Sequence, residues 1–120
     1  MARILVVEDE FLIRFTLVEI LGDEGFEVLE AENGEQALAA LGRGGVDLLL
    51  TDVNLPGGIS GWAVADAARK GRADLPVVFV SGGAQPPPGR AASPHDSFVQ
   101  KPYTPTDLVA VARRALVGAA

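Results

Sequence analysis

Five short runs of β-forming, mostly apolar residues, set apart by stretches with helical periodicity, constrain this chain more than any other feature. They are Ile4 to Val7, Val28 to Ala31, Val46 to Thr51, Val77 to Val80 and Phe98 to Gln100. Several show almost no polar alternation, so strands made from them need cover on both faces, as in a parallel sheet. After the first run, Ile13, Leu17, Ile20 and Leu21 form one helical stripe, with Gly25 as a C-terminal stop. Asn33 caps a helix over Gly34 to Leu41 that ends near Gly42. A third helix is expected from Gly61 through Lys70, burying Trp62, Ala65 and Ala68 and exposing Asp66 and Arg69. For the last helix, Thr104 is the N-cap, Pro105 the first residue and Asp107 a first-turn acid, with Leu108, Val111, Ala112, Ala115 and Leu116 as its stripe. Strands alternating with helices in this way predict an α/β fold on an open βα-repeating sheet.

The rhythm breaks once. Gln85-Pro86-Pro87-Pro88-Gly89 removes three backbone donors and fixes φ where a helix between the fourth and fifth strands should begin, so at most a short or distorted helix is expected there. No internal repeat or linker is visible and only Gly118-Ala119-Ala120 follows the last helix, so residues 1–120 are expected to form one domain. At 120 residues such a domain buries roughly two-thirds of the surface of its unfolded chain, enough for a core without staples. The absence of Cys excludes disulfides, thiolate nucleophiles and thiolate metal sites. No signal-peptide pattern or bilayer-length apolar stretch occurs, and the expected location is cytoplasmic. A formal net charge of −6 repels phosphate backbones, which argues against nucleic acid as a partner. The largest basic group, Arg69-Lys70-x-Arg72, reads as a solvated helix end rather than a binding patch.

In an open parallel sheet, ligands bind beyond the carboxyl ends of the strands. Glu8, Asp9 and Glu10 end the first run, Asp52 the third, Ser81 the fourth and Lys101 the fifth. Each alone is ordinary, because acids at strand ends often cap helices, Ser commonly ends strands and loop lysines are mostly exposed. Their conjunction is specific. Two like charges about 4 Å apart at an effective dielectric of about 20 repel by about 4 kcal/mol, so the carboxylates call for a cation. A hard divalent ion such as Mg²⁺ suits oxygen donors better than Zn²⁺ in a chain with no Cys and one His. A metal and a lysine converging on a carboxylate also meet the needs of phosphoryl transfer, in which a carboxylate can be the nucleophile.

Val6-Val7-Glu8-Asp9-Glu10, Leu50-Thr51-Asp52-Val53-Asn54-Leu55-Pro56, Val80-Ser81-Gly82 and Lys101-Pro102 together resemble a response-regulator receiver domain of two-component signalling, over essentially the whole chain. The resemblance implies a flavodoxin-like, doubly wound five-stranded parallel sheet in the order 2-1-3-4-5. It implies that Asp52 accepts a phosphoryl group from a histidine kinase or phosphotransfer protein. Asp9, Asp52 and the backbone carbonyl of Asn54 would ligate Mg²⁺, with Mn²⁺ as a substitute, and Glu8 would hold the ion through water. Lys101 would contact the phosphoryl oxygens, Ser81 would follow them as the switch hydroxyl, and Phe98 stands at the aromatic switch position, where the plain alternative is a core aromatic. A phosphoryl group that recruits Ser81 and Lys101 would draw their loops inward and bias a two-state surface. Such a chain is no enzyme beyond its own phosphorylation and dephosphorylation, works as a monomer or weak dimer, and signals to a downstream protein by contact or acts as a phosphate sink.

Three departures from the family pattern stand out. The turn from Pro56 to Gly61 is one residue longer than the usual run to that glycine, Gly82-Gly83 follows Ser81, and the prolines occupy the place of a helix that belongs to the family's output surface. This combination is similar to atypical single-domain receivers and to receiver modules of hybrid kinases. Two alternatives remain open. One is a receiver-shaped interaction module that works without phosphorylation. The other is an aspartate-nucleophile phosphatase, but Asn54 stands where such an enzyme places its general acid, and an amide cannot donate that proton.

Overall fold

A computed structural model describes residues 2–118. Its elements follow in the order β1 (Arg3–Val7), α1 (Phe11–Asp23), β2 (Glu27–Ala31), α2 (Gly34–Gly42), β3 (Leu48–Asp52), α3 (Gly61–Gly71), β4 (Val77–Ser81), β5 (Asp96–Gln100) and α4 (Pro105–Gly118). The five strands are parallel in the order β2-β1-β3-β4-β5, as the family resemblance implies. Of the expected tail, Gly118 ends α4, and Ala119 and Ala120 lie outside the described residues.

The strand period of two splits the apolar runs between the sheet's two faces. Leu5, Val7, Leu49, Val77 and Phe79 meet Ala37 and Ala40 of α2 and Trp62, Val64 and Ala65 of α3. Ile4, Val6, Leu48, Leu50, Val78, Val80 and Val99 meet Leu17 and Leu21 of α1 and Leu108 and Ala112 of α4. Each Val, Leu, Ile or Phe among them, fully withdrawn from water, contributes about 2 kcal/mol, so the central strands anchor both layers. The helix starts follow the expected chemistry, since Asn33 Oδ1 accepts from Gln36 N at 2.8 Å and Thr104 Oγ1 from Asp107 N at 3.1 Å. Ser60 Oγ also caps α3, accepting from Ala63 N at 3.1 Å.

One expectation needs correction. Arg69 is not exposed, since its side chain is only 11% accessible, donates to the carbonyl of Leu75 from Nε and Nη2 and pairs with Asp96. The basic triplet is therefore partly structural, because the Leu75 carbonyl accepts from this guanidinium twice. The segment between β4 and β5 forms no helix at all, the limit of the short or distorted helix expected from Pro86, Pro87 and Pro88. Phe98, on the α3 side of β5, is consequently 57% exposed and is no core aromatic.

Candidate functional site

The parallel register brings the carboxyl ends of the central strands level. Val7 pairs with Thr51, Asp52 with Val80 and Ser81 with Gln100. Backbone bonds carry this alignment into the loops, from Glu8 N to Ala31 O at 3.0 Å, Val53 N to Val80 O at 3.2 Å and Lys101 N to Ser81 O at 2.9 Å. Glu8, Asp9, Asp52 and Lys101 therefore converge although they lie far apart in the chain.

Carboxylate oxygens of Glu8, Asp9 and Asp52 lie within 4.8 Å of one another, with Glu8 and Asp52 buried and Asp9 exposed. Lys101 Nζ donates to Asp52 Oδ2 at 2.7 Å, and Asn54 N donates to Asp52 Oδ1 at 2.9 Å. Glu10 N donates to Glu8 Oε2 at 3.1 Å and sets that carboxyl's direction. Burial pushes the Glu8 carboxyl up to about 7, with the Asp9 hydrogen bond and the Asp52 charge adding to the rise. Burial alone would lower the Lys101 ammonium, but the hydrogen bond and charge of Asp52, helped by Glu8, hold it above its ordinary value. An all-oxygen donor set of three carboxylates, two of them buried, fits a hard divalent cation.

The loop after β3 reaches this geometry through a close approach. Gly61 N donates to Val53 O at 2.9 Å, and a Cβ on Gly61 would fall 2.1 Å from Asp52 O. Glycine here lets α3 begin against the backbone of Asp52.

Ser81 stands at the end of β4, and its Oγ accepts from Gly83 N at 3.1 Å and Ala84 N at 2.8 Å. Phe98 is not among the carboxylates. It stacks on Phe79 at 5.5 Å between centroids and lies 6.2 Å from Trp62, on the face below the site. Sequence reasoning missed Arg14, whose Nη1 donates to Glu8 O at 2.8 Å and whose Nε donates to Glu30 at 3.1 Å, tying the acidic loop to β2. A signal was present, because Arg14, Leu17 and Leu21 share one helical stripe and all three are buried. It also missed the exposed apolar side of α1, where Phe11, Leu12 and Phe15 are 64%, 76% and 52% exposed. A cavity of about 480 Å³ lined by Leu38, Val46, Ala68 and Leu75 opens at the amino ends of β3 and β4, away from these groups.

A parallel five-stranded sheet with acids, a hydroxyl and a lysine at its carboxyl edge defines a class of small α/β signalling module. The chain belongs to the response regulator receiver domain family, whose model matches residues 4–113. It is 35% identical to the sensory transduction protein RegX3 of Mycobacterium tuberculosis, over 97% of this chain and 51% of that protein. It is also 35% identical to the phosphate regulon transcriptional regulatory protein PhoB of Escherichia coli, over 90% of this chain and 48% of that one. The chain thus spans about half the length of these relatives. Among solved structures, a response regulator receiver protein from Sinorhizobium medicae superposes with a TM-score of 0.90 at 28% identity, covering 99% of this chain and 97% of that one. The receiver domain of the hybrid histidine kinase CckA gives a TM-score of 0.82 at 35% identity, covering 96% and 99%. Among the described residues no helix is long and apolar enough to cross a membrane.

Proposed function

We propose that this receiver domain takes a phosphoryl group onto Asp52 from a phosphohistidine of a histidine kinase or phosphotransfer protein. The observation that carries the reading is the setting of the Asp52 carboxylate, 7% exposed, held by Lys101 at 2.7 Å and grouped with Glu8 and Asp9. Asn54 N–H holds Oδ1, which leaves Oδ2, facing Lys101, as the attacking oxygen. As the new O–P bond forms, the P–N bond to the donor imidazole breaks and its electron pair returns to nitrogen. The Lys101 ammonium, already at Oδ2, passes to a phosphoryl oxygen and neutralises charge that would otherwise accumulate in a buried site.

Glu8, Asp9, Asp52 and the Asn54 carbonyl would hold one Mg²⁺, or Mn²⁺ in its place, which supplies charge neutralisation for the carboxylates and phosphoryl oxygens. Ser81 O–H is the group that follows the phosphoryl, since its oxygen accepts bonds from the next turn while its hydrogen can still be donated. The apolar side of α1, starting one residue after Glu10, suits docking of a protein donor. The chain then acts only on its own Asp52 and signals by protein contact or as a phosphate sink.

Acetyl phosphate with Mg²⁺ should add one phosphoryl group by intact-mass spectrometry, and Asp52→Asn should abolish it. Failure to load from small donors and from candidate kinases alike would overturn the reading in favour of an interaction module that works without phosphorylation.

A further inference from the structure

Between β4 and β5 the chain crosses the α3 side of the sheet without a helix, and Arg90 supplies the cover. Its side chain is 7% exposed. Nε donates to Asp66 Oδ1 on α3 at 3.2 Å, and Nη1 donates to Asp96 Oδ2 on β5 at 3.3 Å. The guanidinium carbon lies 5.1 Å from the ring centroids of both Trp62 and Phe79. Asp96, with a side chain 3% exposed, also accepts from Arg69 and from Ser93 N. A guanidinium withdrawn from water is costly unless charge and hydrogen bonds replace hydration; here two carboxylates and two ring faces do so in part, while Nη2 is buried without a hydrogen bond, 3.2 Å from Asp66 Oδ1.

The same segment is anchored at its start. Gly83 N and Ala84 N both donate to Ser81 Oγ, so the residue proposed to follow the phosphoryl group also holds the first turn of the crossing. Pro86, Pro87 and Pro88 lie between the two anchors. Their fixed φ makes this stretch a stiff spacer, which passes on a displacement of one end instead of absorbing it.

We propose that Arg90 is the clasp of a strap with two anchors. With Asp52 unmodified, the clasp holds residues 82–95 over Trp62 and Phe79. Phosphorylation of Asp52 opens it by turning Ser81 Oγ toward the phosphoryl group and away from Gly83 and Ala84. The opening step rests on the phosphoacceptor reading, whereas the clasp does not. Opening bares Trp62 and Phe79 beside Phe98, already 57% exposed, and creates a surface of three rings with Asp66 and Asp96 at its rim.

Trp62 is the chain's one tryptophan, so its quenching by acrylamide reads the clasp in the whole protein. In the unmodified protein Arg90→Ala should raise the quenching constant roughly twofold, and Asp66→Asn, which removes the charge of the exposed arm and leaves the core alone, by a smaller factor. Acetyl phosphate with Mg²⁺ should move wild type toward the Arg90→Ala value and leave Arg90→Ala where it is, with the adduct measured by intact mass on the same samples. If Trp62 stays as shielded in both variants as in wild type, there is no clasp. If Asp52 carries the adduct and wild-type quenching does not change, the strap is uncoupled from the site and the phosphoacceptor reading stands. If no adduct forms, that reading and the opening step fall together, while the two variants still decide the clasp.

Discussion

Two crossovers run over the same face of the sheet, and they cover it by different means. From β3 to β4 the chain goes through α3, which lays Trp62, Val64 and Ala65 onto the strands. From β4 to β5 it goes through residues 82–95, which lay down one guanidinium. An apolar stripe excludes water along its whole length and is indifferent to charge. A cover made from Arg90, Asp66 and Asp96 is local, depends on ionisation and can exchange its partners for water. The first suits the permanent wall of a site and the second suits a part that moves.

The largest effect should come from breaking the close approach on the helical side. Gly61→Ala places a Cβ 2.1 Å from Asp52 O and should cost about 3 kcal/mol in urea unfolding, with loss of phosphorylation because the Asp52 loop must shift. Next comes Asp96→Ala, which strands Arg69 and Arg90 with no carboxylate at β5. About 3 kcal/mol is expected from the loss of a paired buried charge, and a cost near zero would mean the open crossover is not held by its ion pairs.

Acid and base should also separate the two regions. Glu8 holds its proton up to about 7 in the folded chain against 4.5 ordinarily, so the folded state binds more protons and metal-free stability should fall as pH rises through that window. Glu8→Gln should flatten this slope. For Asp96, burial alone would raise the carboxyl, but Arg69, Ser93 N–H and Arg90 together hold it below its usual 3.8. Its stabilising share is therefore complete above that value and is lost as pH falls below it, and Asp96→Asn should remove that acid-limb loss. The smallest effect is reserved for Pro87→Ala, which loosens the spacer while keeping the carbonyl that accepts from Arg90 N at 3.1 Å. It should cost less than about 1 kcal/mol yet raise amide exchange in residues 82–95.

Much of this molecule was legible because the signals were local. The apolar runs marked the five strands, Asn33 and Thr104 marked their helix starts, and the order of Glu8, Asp9, Asp52, Ser81 and Lys101 placed the acids and the lysine on one edge. What escaped depended on pairs distant in the chain. Arg69 read as solvated because nothing in its own helix announces Asp96, and Arg90 carried no signal at all because it follows three prolines in a stretch without periodicity. Arg14 is a middle case, since its place on the buried stripe with Leu17 and Leu21 could have been read as a tethered arginine. The exposure of Phe98 followed from the absence of a helix over β5, which the prolines only hinted at.

The strand order leaves β2 and β5 at the two margins of the sheet, each with one strand neighbour among the described residues. Such margins are templates for unwanted pairing between copies. On β2 the exposed Glu27 and Glu30, paired with Arg3 and Arg14, place charged groups that an approaching strand would have to desolvate. β5 is five residues long and runs into Pro102, which has no N–H to extend a ladder. With a net charge of −6 shared by every copy, these blunted margins disfavour edge-to-edge pairing of the sheet between copies.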